Sequence, residues 1–198
     1  MRGTLQPEDD VRFLLVHHTL TPNTDAPDDI VGRLRSIQAF HTGERGWADV
    51  AYNFLVDPSG TIWEGRQGSL EGPVRGDATG GSQGFAQLAC FIGDFSEVLP
   101  TPAALDAMVR LLAWLATRSS LPLEGTVTFS SRGSSRWPRG AEVTTARIAA
   151  HRDMSVTECP GEALYPLVAE EPAQVAPPPS DPVPDFAPPA SPVRGTVI

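Results

Sequence analysis

Few residues in this chain can do chemistry. Its four histidines are His17, His18, His41 and His151, and its two cysteines are Cys90 and Cys159. His151 and Cys159 share the stretch AHRDMSVTECPG, while His17 and His18 are adjacent in LLVHHT near the N-terminus. Imidazole and thiolate are zinc ligands, and a hydrolytic zinc site uses three protein ligands and keeps a fourth position for water. His17, His18, His41, His151 and Cys159 form the candidate ligand pool. A thiol nucleophile is a competing chemistry, with Cys159 attacking and His151 as its base. Against it, Pro160 leaves no backbone N–H directly after the nucleophile for an oxyanion hole. Ordinary core packing is a third reading, and the residues alone leave all three open.

These side chains need elements to hold them. RFLLVHH is a short continuous apolar run, the pattern of a buried strand that delivers its histidines to one end of a sheet. Successive strand residues face opposite sides, so only one of His17 and His18 is expected to reach a shared metal. APDDIVGRLRSIQAFH opens with proline and aspartates and puts Ile30, Leu34, Ile37 and His41 at helical spacing. AYNFLVDPSGTIWEGR reads as a hairpin about an Asp-Pro-Ser-Gly turn, and AQLACFIGDF as a second buried strand with Cys90 as core packing. TPAALDAMVRLLAWLATR predicts a helix with Thr101 as N-cap and Leu105, Met108, Leu112 and Leu115 on one face. After a Gly/Ser/Arg-rich loop, VTTARIAAHRD reads as a final strand and GEALYPLV as a short closing helix. Strands separated by helices indicate an α/β fold with a mixed central β-sheet flanked by helices.

Composition bounds the function. The chain has 198 residues, 40% of them hydrophobic, enough for one core and a tail. Its 15 basic and 24 acidic residues give a net charge of −9, which argues against a nucleic acid held by counterion release. Every basic residue is arginine, so no lysine is available as a catalytic cation. No apolar run approaches membrane-spanning length. The opening MRGTLQPEDD has no apolar segment after its arginine, so no signal peptide is expected there. From Pro172 onward nine prolines fall in 27 residues, the composition of an extended, disordered linker. The expected division is an N-terminal extension over 1–10, a domain over 11–170 and a proline-rich tail over 171–198.

LLVHHT, the following His41, RGWADVAYNFLVDPSGTIWEGR, FIGDF and AHRDMSVTECPGEALY, in this order, resemble the peptidoglycan-recognition-protein and type 2 N-acetylmuramoyl-L-alanine amidase family. The segment TFSSRGSSRWPRGAEVTTARIAAHRD is similar to the version in actinobacterial cell-wall proteins. The resemblance implies one zinc ion on His17, His151 and Cys159, with His18 facing elsewhere or supporting a ligand. It implies Tyr52 as a catalytic residue, either donor to the oxyanion or general base, and Thr157 in a position that other members fill with lysine or threonine. It places His41, Trp47 and Arg66 where the family lines or supports its substrate groove. Locally, His41 could instead cap a helix C-terminus, Trp47 could pack in its loop, and Arg66 could pair with Glu64 or Asp49. The implied partner is a peptidoglycan muropeptide cut between N-acetylmuramic acid and L-alanine, by a monomeric extracellular or cell-wall protein; a cytoplasmic protein and a non-catalytic peptidoglycan-binding module are the alternatives. The loop after EGR departs from the family pattern at Pro73, Val74 and Asp77–Thr79, and Gln87 stands where an apolar or small residue is usual, which leaves stem-peptide specificity open.

Overall fold

In a computed structural model that describes residues 5–8, 10–23, 29–169 and 186–187, the run FLLVHH forms strand β1 (Phe13–His18), buried at all six positions. Its partner β4 (Ala86–Phe91) is buried at every position too. Strands apolar throughout need cover on both faces, which parallel sheets of α/β proteins provide. The main sheet has the order β7-β1-β4-β2-β3-β8, with β2 (Phe54–Val56), β3 (Ile62–Glu64), β7 (Ile148–Ala150) and β8 (Phe186–Ala187). β1 runs parallel to β4 and β7, and β2 is parallel to β4 but antiparallel to β3. The sheet is therefore mixed, as expected.

One face is covered by the helix α2 (Pro102–Arg118), capped by Thr101, whose Oγ1 accepts from the Ala104 N–H at 3.1 Å. Met108, Leu111, Leu112 and Leu115 pack there against Leu14, Val16, Phe54 and Phe91, each such side chain contributing about 1.5–3 kcal/mol of burial. The other face is shared by α1 (Ile30–Ala39) and a two-stranded antiparallel sheet of β5 (Thr126–Ser130) and β6 (Glu142–Ala146). Ile30 and Ile37 cover Leu55 and Cys90, while Phe129 and Val143 cover Phe13, Leu15 and Leu88. His17 has the parity of Phe13 and Leu15, so it faces the side of α1 and the small sheet.

Two elements differ from the sequence expectation. The expected final strand is two strands in different sheets, β6 and β7, broken at Arg147. Arg147 hydrogen-bonds to both sides of the switch: its N–H reaches the Gly125 carbonyl at 3.2 Å and its carbonyl accepts from the Leu14 N–H at 2.8 Å. Apolar residues continue across the break from Ala146 to Ile148–Ala150 with only Arg147 between them, so pattern alone does not reveal the change of partner. β5 lies where the loop was expected to begin, because TVTFS buries only Phe129 among mostly exposed neighbours and carries a weak apolar signal.

At the other end of the sheet, part of the expected N-terminal extension is docked. The Glu8 N–H bonds to the Pro73 carbonyl, the Arg75 N–H to the Gln6 carbonyl, and Gln87 Nε2 to Glu8 Oε2 at 2.5 Å. Gln87, out of place by family pattern, is thus the sheet's polar anchor for this segment. Most of the proline-rich tail lies outside the described residues; within it, the backbone of Phe186–Ala187 pairs in parallel with Ile62–Trp63 as β8. No helix among the described residues is long and apolar enough to cross a membrane.

Candidate metal centre and cleft

The C-terminal ends of β1 and β7 place two histidines side by side. His17 is the fifth residue of β1, and His151 follows β7 directly as the first residue of the short helix α3 (His151–Met154). Their ring centroids are 4.5 Å apart. The α3 turn is fixed by Asp153, whose Oδ2 accepts from the Ala150 N–H at 2.8 Å.

Cys159 arrives from the following turn. Its carbonyl accepts from the Arg152 N–H at 3.0 Å, its N–H donates to Thr157 Oγ1 at 3.2 Å, and Arg152 reaches across to the Glu158 carbonyl and, at 2.8 Å, to Glu162. Gly161 closes the turn against the backbone of Phe95: with φ near +105°, a Cβ there would lie 2.3 Å from the Phe95 carbonyl, so glycine is required. Cys159 Sγ then lies 3.7 Å from His17 Nδ1 and accepts from the His18 N–H at 3.4 Å. His18 therefore supports the sulfur through its backbone, while its own Nδ1 accepts from the Phe95 N–H at 3.3 Å.

Donor atoms of His17, His151 and Cys159 all lie within 4.8 Å of one another. Tetrahedral zinc with one nitrogen at 2.1 Å and one sulfur at 2.3 Å separates those ligands by about 3.6 Å, close to the His17–Cys159 spacing. His17 is fully buried and its Nε2 has no hydrogen-bond partner among the described residues. Burial, then the neighbouring His151, holds His17 well below the ordinary imidazole range, and burial lowers His151 to about 4, so both are neutral with lone pairs available. Burial pushes the Cys159 thiol up to about 12, which opposes a free thiolate nucleophile. Two neutral imidazoles and a sulfur that needs a cation to ionise are a donor set that fits zinc.

From this cluster a row of rings leads outward. Tyr52 is 5.1 Å from His17, His41 is 5.6 Å from Tyr52, and Trp47 is 4.9 Å from His41, all between centroids. Burial raises the Tyr52 hydroxyl well above the usual phenol range, so it is protonated and can donate. His41 sits in a π-helical turn, Phe40–Glu44, that continues α1. Its Nδ1 accepts from the Ala51 N–H at 3.1 Å, so the proton is on Nε2, and burial lowers its titration to about 4. His41 thus fixes a loop instead of capping the helix end.

His151, Cys159, Tyr52, His41 and Trp47 line a cleft of about 690 Å³, together with His18, Thr157, Phe40, Arg33, Arg45 and Glu158. Phe40 and Arg45 escaped the sequence reading because the π turn shifts residues relative to the 3.6-residue period. Arg45 stands over the rings of Phe40 and Trp47, at 5.3 and 5.8 Å to their centroids. Arg66 is not on the cleft wall. It is buried, with Nη1 donating to the Val50 carbonyl at 2.9 Å and to Asp77 at 2.7 Å, and it supports the wall from behind. Its acidic partner is Asp77, in the loop that departs from the family pattern, and not Glu64 or Asp49. Asp49 instead accepts from the Gln67 N–H and from Gln38.

Residues 7–162 match the N-acetylmuramoyl-L-alanine amidase family. Among curated proteins the chain is 29% identical to mouse peptidoglycan recognition protein 1 over 159 residues, 80% of this chain and 74% of that one. It is 31% identical to pig N-acetylmuramoyl-L-alanine amidase over 158 residues, 79% of this chain and 22% of that larger protein. Among solved structures it superposes on Drosophila peptidoglycan recognition protein SA with a TM-score of 0.65 at 27% identity, covering 84% of this chain and 83% of that one.

Proposed function

The chain belongs to the peptidoglycan-recognition-protein and type 2 N-acetylmuramoyl-L-alanine amidase family, and on that premise we propose that it is a zinc-dependent amidase. Its substrate would be the amide between the lactyl group of N-acetylmuramic acid and the L-alanine of the stem peptide. The observation that carries this reading is the convergence of His17, His151 and Cys159 beside a protonated Tyr52, with His151, Cys159 and Tyr52 lining an open cleft and His17 buried directly behind them. A pure binding module has no need of three converging donor side chains with a protonated phenol beside them.

When bound, zinc supplies Lewis acidity and an activated water at neutral pH. The protein's own residues do the rest. The Tyr52 hydroxyl donates to the carbonyl oxygen as negative charge builds there, a role worth about 10²–10³ in rate for comparable donors. Thr157, on the cleft wall two residues before Cys159, braces the ligand turn and offers its hydroxyl to substrate or water. The His41 and Trp47 rings, with Arg45, form the wall along which the muropeptide would lie.

The test is incubation of the purified zinc-loaded protein with N-acetylmuramyl pentapeptide, followed by mass spectrometry. Release of free pentapeptide, lost on chelation and restored by zinc, is the expected result. Chelator-sensitive binding without any cleavage would replace this reading with the binding module, and chelator-resistant cleavage would return the case to thiol chemistry.

A further inference from the structure

Among the described residues, two that are not glycine have a positive φ, Leu20 at 55° and Ser120 at 53°. Left-handed backbone crowds the Cβ of an L-residue, so it falls mostly to glycine and asparagine. Ser120 has a local reason for it. It follows the C-cap of α2, where its N–H bonds to the Thr117 carbonyl and the next N–H, of Leu121, to the Ala116 carbonyl, the pattern that closes helices through one left-handed residue. Leu20 ends no helix. The turn after β1 is held by its neighbours: the Thr19 N–H bonds to the Phe91 carbonyl at 3.0 Å, the Gly93 N–H to Thr19 Oγ1 at 2.9 Å, and the Thr19 and Thr21 hydroxyls to each other at 2.8 Å. The Leu20 side chain is 65% exposed, so its burial contributes little to folding. Folding alone would therefore favour glycine or asparagine at this position.

The leucine lines the cleft instead. It stands on the cleft wall three residues beyond His17, together with Thr21, and a second exposed apolar side chain, Phe40, lines the same cleft from the π turn. We propose that Leu20 is a substrate-binding residue whose isobutyl group is presented, in a strained backbone conformation, to the methyl groups beside the scissile amide. A muropeptide carries one such methyl on the lactyl group and one on L-alanine, on either side of that bond. Exposed apolar side chains gathered at a cleft mark a surface that a ligand completes. Strain retained at an exposed side chain that the fold does not use is the pattern of a functional position. Covering the leucine removes apolar surface from water and leaves the reacting atoms alone, so the contact is made equally in the ground and transition states. This assignment rests on the muropeptide reading of the cleft.

The test compares Leu20→Asn, which tolerates the left-handed conformation, with Leu20→Met, which keeps an apolar side chain of similar size, both in the zinc-loaded protein. KM for N-acetylmuramyl pentapeptide is expected to rise about tenfold in Leu20→Asn, the scale of partly burying one leucine, with kcat and zinc content unchanged. Leu20→Met should stay within about twofold of the parent. The urea midpoint of Leu20→Asn should equal or exceed the parent's, so that substrate binding is weakened without any loss of stability. An unchanged KM in Leu20→Asn overturns the proposal, and so does a lowered urea midpoint, which would make the leucine a packing residue. If the parent binds the pentapeptide without cutting it, the amidase reading falls and dissociation constants from isothermal titration replace KM, with the same difference of about tenfold expected. A parent that neither binds nor cuts the pentapeptide overturns both.

Discussion

His17 Nδ1 and Cys159 Sγ lie 3.7 Å apart although 142 residues separate them in the chain. A central strand fixes one, and a turn held by Arg152, Thr157 and Gly161 fixes the other, so the pair exists only in the folded state. A metal bound between them therefore stabilises the fold by mass action, by about 2.7 kcal/mol at a hundredfold excess over Kd. Zinc should raise the melting temperature of the parent protein, and chelator should lower it again. Cys159→Ala should bind less than one zinc per chain and show no zinc-dependent shift; a shift equal to the parent's would remove Cys159 from the ligand set.

Thr157 contributes to the same turn. Its Oγ1 accepts from the Cys159 N–H, so Thr157→Ala leaves that donor unpaired and loosens the ligand's backbone. The loss of one such bond is worth about 1 kcal/mol. Thr157→Ala should lower both zinc affinity and amidase rate roughly fivefold, and Thr157→Ser, which keeps the oxygen, should restore most of each. Isothermal titration with zinc and initial rates on the muramyl peptide read the two effects.

Strand type, helix α2 with its cap and the β2–β3 hairpin were legible because each is signalled locally, by an apolar run, an N-cap threonine or a turn tetrad. The candidate ligand set was legible as a pool of residue types, and family resemblance narrowed it to His17, His151 and Cys159, the three that the fold gathers. What stayed hidden depends on three-dimensional neighbours. Arg66 gave no sign that its partner would be Asp77, because the two meet only through the folding back of the 67–77 loop. Phe40 and Arg45 were lost to a π turn that helical periodicity does not contain.

The Arg66–Asp77 pair has an asymmetric energetic role. The guanidinium side chain is 4% exposed and the carboxylate 30%, so removing Asp77 strands a charge deep in the protein while removing Arg66 leaves an acid that water can still reach. Breaking a buried pair costs about 3–5 kcal/mol when the remaining charge cannot be solvated. Asp77→Ala should therefore lower urea stability more than Arg66→Met, by roughly 3 kcal/mol against about half of that. Equal losses, or a larger one for Arg66→Met, would contradict the burial asymmetry. Either change should also affect the cleft wall through the Val50 carbonyl that Arg66 holds, and raise KM for the muropeptide.

Glu8 makes the docking of the N-terminal segment sensitive to pH. It is 2% exposed, and burial raises its carboxyl to about 7 despite the opposing bond from Gln87 and the charge of Arg75. The fold thus favours the protonated acid. Below about pH 4.5 Glu8 is neutral in folded and unfolded chains alike, and its contribution is fully present. Between about 4.5 and 7 the unfolded chain gives up the proton while the folded one keeps it, so stability falls as pH rises, by an upper bound of about 3 kcal/mol, and levels off above 7. The buried neutral His17 and His151 act with the opposite sign, their contribution being lost as pH falls below the ordinary imidazole range. Glu8→Gln keeps the shape and removes only the first effect. Urea unfolding of metal-free parent and variant at pH 4.5, 6 and 8 should give curves that coincide at the lowest pH, with the variant increasingly more stable at the higher two; a constant difference across the range would mean that the folded protein carries Glu8 ionised.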